Sequence, residues 1–249
     1  MNNRLKMLLQ KTGLKAVLIF LYRSWAKGVR PGKIRRYLES HETKKLQIGS
    51  GRNALEGWLN TDINPVPGRR GGPPVFLDAR KRFPFKDAVF DTLYCEHLIE
   101  HLEYRQGLRM LRECFRVLKP GGKIRISTPD LRFLIALYGP NKTELQKRYL
   151  SWAVASLLPG TGTGEDVFVI NNFFRAWGHK FIYDPQVLKE ALESAGFAGV
   201  SPQEVGRSDD GNLSGLESHG AQIGDEFNRL ETLILEGRKP ESGSSQHSG

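Results

Sequence analysis

Three stretches hold residues whose types and spacing could do chemistry. In "LQIGSGRNALEGWLNTDIN" (46–64) an apolar run ends in a glycine turn, Gly49-Ser50-Gly51, and an acid, Asp62, follows after ten residues. A glycine turn at the carboxyl end of a strand lets a ligand approach the backbone closely, and an acid ending the next strand can accept hydrogen bonds from ribose hydroxyls. A dinucleotide fold would place that acid about twenty residues on. The short gap leaves little room for a pyrophosphate-binding helix. It suits a nucleoside ligand without a pyrophosphate. The second stretch, "HLIEH" (97–101), has the HxxEH spacing of inverted zinc peptidases. On a helix His97 and His101 would share one face, and Glu100 would act as a base. The third, "RAWGHKFIYD" (175–184), offers His179 as a general base at neutral pH, with Tyr183 and Asp130 as lesser candidates. Glu217 and His219 in "GLESHG" could meet a polar substrate; the alternative for them is a solvated loop.

The elements that must position these groups follow a rhythm. Apolar runs at "KLQI", "WLNTDIN", "PVFLDA", "VFDTLYC" and "KIRIST" alternate with helix-like stretches, which predicts a parallel sheet covered by helices. Leu108, Leu111, Phe115 and Leu118 make one apolar helix face, stopped by "KPGG". Asp184 and Pro185 open a later helix, and Gly196 suits the left-handed position after it. "GVSPQEVGR" and "LETLILEGRK" are the last strands, expected as an antiparallel pair. Residues 131–180 break the rhythm and are expected to form a cap inserted above the sheet. The domain spans 45–239, and 240–249 is expected to be a disordered tail.

Charge is concentrated. The net charge of +10 lies within residues 1–45, which hold twelve Lys or Arg and two acids, whereas the remaining residues balance. Nucleic-acid binding by the domain is therefore not expected. The run "AVLIFLY" (16–22) is too short to span a bilayer. The arm, 1–44, is expected to be a basic amphipathic helix. Either it lies on an anionic membrane surface through residues 1–40, or it docks on its own domain through Leu18, Phe20 and Leu21. Two cysteines, Cys95 and Cys114, with no CxxC pair, argue for a reducing compartment. The expected location is cytoplasmic, with a peripheral place on the inner membrane face if the arm binds lipid.

Taken in order, "LQIGSG", "TDI", "LDARKRFPFKDAVFDTLYCEHLIEHL" and "VLKPGGKIRISTPD" resemble the class I S-adenosylmethionine-dependent methyltransferases, closest to the small-molecule branch of the type 11 kind. The resemblance implies a doubly wound, Rossmann-like seven-stranded sheet and S-adenosylmethionine as cofactor. It also implies that Gly49, Ser50 and Gly51 border the methionine part. Asp62 would bind the ribose, Ile63 would pack on the adenine, and Asp78 and Ala79 would meet the adenine edge. Cys95 and Glu96 would lie beside the methionine portion, and His101 near donor and acceptor. The gap between Gly51 and Asp62 departs from the family, being too short for its usual first helix. The expected function is methyl transfer to an oxygen of a small polar or lipid-linked, saccharide-type acceptor, with His179 and His101 as catalytic groups and no metal. The alternatives are a non-catalytic, cofactor-binding or membrane-docked partner protein and, less favoured, a zinc hydrolase built on His97 and His101.

Overall fold

Each expected strand forms, and the first five run parallel. The computed structural model describes residues 14–64, 73–158, 160 and 165–241. Helix α1 (Leu14–Ser40) leads into β1 (Lys45–Ile48), β2 (Leu59–Asp62), β3 (Val75–Phe76) and β4 (Phe90–Glu96). A 3₁₀ turn (Ile99–His101), α2 (Tyr104–Val117) and β5 (Leu118–Pro129) follow. Three helices come next, α3 (Leu131–Tyr138), α4 (Glu144–Leu157) and α5 (Glu165–Arg175). The chain closes with α6 (Pro185–Ser194), β6 (Ala198–Pro202), α7 (Gly220–Ile223), α8 (Asp225–Glu231) and β7 (Thr232–Arg238). The seven strands stand in the order β3-β2-β1-β4-β5-β7-β6, with β7 antiparallel to both neighbours. The order reverses beside β1, and the crevice at the carboxyl ends of β1, β2 and β4 is where such a sheet holds ligands.

Local chemistry explains the boundaries. Asp184 caps α6 by accepting from the Val187 N–H at 2.7 Å, and Pro185 occupies the first turn. α2 opens on a capping box between Glu103 and Gln106 and buries Met110, Leu111, Cys114 and Val117 against the sheet. "KPGG" does stop α2, but it forms an irregularity inside β5 instead of a free turn: Phe90 pairs with Leu118 and Thr92 with Lys123. The main core unites the sheet with α2, α6 and the docked half of α1. A second core, with Phe133, Leu134, Leu137, Tyr149, Leu150, Ala153, Val169 and Phe173, belongs to the three helices over 131–175 and borrows Ile182 and Phe227 from the domain.

The arm differs from its expected docking. Phe20 and Leu21 are 69% and 57% exposed and hold nothing in place, and the side chain of Leu18 lies outside the described residues. α1 docks instead through Ala26, Ile34 and Tyr37. The Tyr37 hydroxyl donates to the carbonyls of Lys45 (2.8 Å) and Gly57 (3.1 Å) and accepts from the Lys45 N–H (2.8 Å). Several cations of the arm face the domain: Arg23 bonds Asn64, Lys33 bonds the Pro73 carbonyl, and Lys27 sits 5.4 Å over the Phe76 ring. Among the described residues no helix is long and apolar enough to cross a membrane. Residues 1–13 of the arm and 242–249 of the tail lie outside the described residues.

Candidate functional site

The loop after β1 is built without a helix. The Gly49 and Ser50 N–H groups both donate to the Thr61 carbonyl, at 2.9 and 3.0 Å, so the turn folds back onto β2. Gln47 and Asn60 then supply the hydrogen bonds that a helix would have supplied. Gln47 bonds the Asn53 carbonyl and the Leu55 N–H, and Asn60 bonds Leu55 on both sides and the Trp58 carbonyl. Trp58 is buried against Tyr94 and Leu213. The ten-residue gap is thus a side-chain-stapled loop that brings Asp62 to the glycine turn. The Asp62 carboxylate accepts from the Gly51 N–H (3.0 Å) and the Asn64 N–H (2.6 Å).

A crevice of ≈ 160 Å³ opens here, lined by Ile48, Gly49, Asp62, Ile63, Leu77, Asp78, Ala79, Arg80, Leu98, His101 and Leu102. Gly49 has φ +74°, and a Cβ there would stand 3.0 Å from the Leu98 side chain. Asp78 is held by Arg80, whose Nε and Nη2 donate at 2.8 and 2.9 Å. That hydrogen bond keeps the carboxyl below its usual range. Ser50 is buried, and its hydroxyl has no hydrogen-bond partner.

Beside the crevice, walled in part by α4 and α5, lies a cavity of ≈ 480 Å³. Four histidines line it, His97, His101, His179 and His219, together with Glu100, Glu231 and the rings of Tyr149, Trp152, Phe173 and Trp177. The His101 and His179 ring centroids are 4.9 Å apart, and those of His97 and His219 are 4.3 Å apart. His179 Nδ1 faces the Phe173 carbonyl at 2.7 Å, and burial holds its pKa below the ordinary value. Glu100 is fully buried, with His97 Nδ1 at 3.1 Å and the Thr128 hydroxyl at 3.2 Å. Burial disfavours charge on both His97 and Glu100, but their contact prevails, raising the histidine and lowering the acid. His219 Nε2 meets Glu231 at 3.0 Å, and Tyr149 donates to the same acid.

His101 lines both spaces, with His179 beside it. The HxxEH pattern does not form the helix face that its spacing suggests. His97 precedes the 3₁₀ turn with φ +47° and supports Glu100. Two expected cofactor groups point elsewhere. The Cys95 side chain is buried in the main core, where desolvation raises its thiol pKa well above the ordinary value. The Glu96 carboxylate accepts from the Ser218 N–H and hydroxyl and from the His219 N–H, at 2.7–3.0 Å. Tyr183 is a core residue, and Asp130 caps α3. Glu217 is not solvated: it bonds the buried Arg125 at 2.6 Å. Glu231 and Tyr149 escaped sequence reasoning. Glu231 shows only as an acid abutting an apolar strand, and Tyr149 lies within the cap.

Residues 68–126 match the family model described as "Methyltransferase domain". That match adds to a seven-stranded sheet whose last strand is antiparallel and to an acid-lined crevice at its switch point. Part of the chain thus matches a methyltransferase domain, and the sheet is the seven-stranded, Rossmann-like one that the sequence resemblance implies. A SAM-dependent methyltransferase from Archaeoglobus fulgidus is similar to the chain at 20% identity and TM-score 0.48, covering 88% of this chain and 99% of its own. One from Mesorhizobium loti shows 17% identity and TM-score 0.48, covering 81% and 93%. A phosphoethanolamine N-methyltransferase from Haemonchus contortus shows 14% identity and TM-score 0.44, covering 94% and 59%. No curated protein matches the chain. The crevice fits S-adenosylmethionine: Asp62 and Asp78 offer acceptors to hydroxyl and amino groups, Ile63, Leu77 and Ala79 offer apolar walls, and Gly49 leaves the space that a Cβ would fill.

Proposed function

We propose that the protein methylates a hydroxyl oxygen of a small polar or lipid-linked, saccharide-type acceptor held in the capped cavity. The observation that carries this is the position of His101, which lines both the cofactor crevice and the cavity, with His179 against it. Bound S-adenosylmethionine supplies a methyl group already activated on a sulfonium, so positioning the acceptor does much of the work. A hydroxyl must still lose its proton, and activating it falls to the His101–His179 pair. The cavity lining suits a polyol: imidazoles, Glu231 and Gln222 for hydroxyls, and Trp152, Trp177 and Tyr149 for the apolar face of a sugar ring. Incubating the purified protein with S-adenosylmethionine and a panel of saccharide, lipid-linked, protein and RNA acceptors tests this. Methylated saccharide or lipid-linked product is expected; methylation confined to protein or RNA would sink the acceptor reading.

A second reading concerns place. Val17, Phe20, Leu21 and Trp25 are exposed on the first half of α1, ahead of the docked half, in an arm carrying nearly all of the net positive charge. This supports an apolar end seated in an anionic bilayer, which would bring a lipid-linked acceptor to the cap.

A further inference from the structure

We propose that Glu100, His101 and His179 hold a divalent first-row transition cation, which binds the acceptor's hydroxyl; the inference rests on the O-methyltransferase reading and deepens it. One ligand atom from each of the three residues lies within 4.8 Å of the others. Ligand atoms at ~2.1 Å from one ion stand roughly 3–4 Å apart, so about an ångström of side-chain motion closes the set.

Two of the three groups, His179 and Glu100, are already oriented as a ligand needs. A metal-binding imidazole normally gives its other ring N–H to a carbonyl or carboxylate. The Phe173 carbonyl, 2.7 Å from His179 Nδ1, leaves Nε2 as the free lone pair. Glu100 is aimed by His97 and Thr128, which take one contact on each carboxylate oxygen and leave lone pairs over. The backbone ties the two segments together: the Lys180 and Phe181 N–H groups both donate to the Glu100 carbonyl, at 2.7 and 3.2 Å. His179 is therefore fixed beside the 3₁₀ turn although it lies 79 positions beyond Glu100 in the chain.

Two imidazoles and one carboxylate select zinc, iron(II), cobalt(II) or manganese(II) over magnesium or calcium, and three protein ligands leave positions open for substrate oxygen. A cation so placed lowers the pKa of a bound hydroxyl, whose proton then leaves to water. An acceptor with two adjacent oxygens, such as a vicinal diol of a sugar, would chelate it. The ligand set is not the one that the HxxEH spacing suggests, because His97 acts behind Glu100.

The test uses the full chain, freed of metal by chelation and titrated with Co²⁺ while visible d–d absorption is followed. Calorimetry with S-adenosylhomocysteine runs in parallel. One equivalent of Co²⁺ is expected, with at least tenfold weaker binding in His179→Ala and in Glu100→Gln and S-adenosylhomocysteine affinity within twofold of the parent in His179→Ala. The absence of stoichiometric Co²⁺ binding, or its persistence in His179→Ala, overturns the site. Failure to bind S-adenosylhomocysteine while cobalt binds would instead overturn the methyltransferase reading and leave the cation site standing.

Discussion

Replacing Arg125 by Met should cost the fold heavily and reach the cavity through a loop. Arg125 lies in β5, between β4 and β7, and its side chain is fully buried. Its guanidinium donates to Glu217 and Glu236, each at 2.6 Å, and to the carbonyls of Arg207 (2.8 Å) and Glu204 (3.0 Å). Glu236 is its direct partner across the β5–β7 ladder, and Glu217 belongs to the loop that carries His219. Methionine fills similar space but leaves two carboxylates buried without their cation, a loss of about 3–5 kcal/mol. For a chain of this size each kcal/mol moves Tm by roughly 2–4 °C, so a fall of about 6–20 °C is expected in thermal denaturation. The triple variant R125M/E217Q/E236Q should recover at least half of that, because the unpaired charges go with their partner. Freed of Glu217's anchor, the loop should place His219 less firmly, raising acceptor KM while S-adenosylhomocysteine affinity holds. A single variant losing less than about 1 kcal/mol, or a triple variant no better than the single, would refute the argument that unpaired carboxylates dominate the cost.

Gly49→Ala should weaken S-adenosylhomocysteine binding by about tenfold in calorimetry, since φ +74° strains any side chain by roughly 1–2 kcal/mol and the new methyl would press on Leu98 at the crevice wall. Burial pushes Glu113 up, but Arg116 and the Phe83 N–H outweigh it and hold its pKa below the ordinary 4.5. The stability that Glu113 contributes is therefore present above that value and lost as pH falls through the lower folded pKa; below pH 4.5 the parent's Tm should drop more steeply than that of Glu113→Gln. Replacing Phe20, Leu21 and Trp25 together by Ser should abolish sedimentation with anionic vesicles and leave Tm within a degree or two, because none of the three is buried. Vesicle binding that survives the triple change would refute the membrane role of α1.

The elements legible in the sequence are those whose hydrogen bonds and apolar faces are settled locally. Helix α6 announces itself because Asp184, Pro185 and Gly196 each solve an end problem within a few residues. The sheet is legible because buried parallel strands are apolar throughout. What sequence reading missed is settled at a distance. Arg125, alternating with Ile124 and Ile126, reads as the outward side of a half-exposed strand. Its true environment comes from Glu217, 92 residues away, and Glu236, 111 residues away. The same holds for the loop 206–219: polar composition suggests solvent, yet Leu213 is fully buried and Glu217 almost so. In HxxEH the four-residue spacing implies a helix face. The chain instead enters a 3₁₀ turn from a left-handed His97, and the third group near Glu100 and His101 arrives from residue 179. The groups of the candidate site come together where segments distant in the chain meet at the sheet's carboxyl edge, so the residue types are visible in the sequence and their partners are not. If that account is right, moving His179 out of register by deleting Lys180 should cost the cation and the transferase activity together while S-adenosylhomocysteine still binds. Activity that persists in the deletion would show that the pairing with the Glu100 carbonyl positions nothing that the reaction needs.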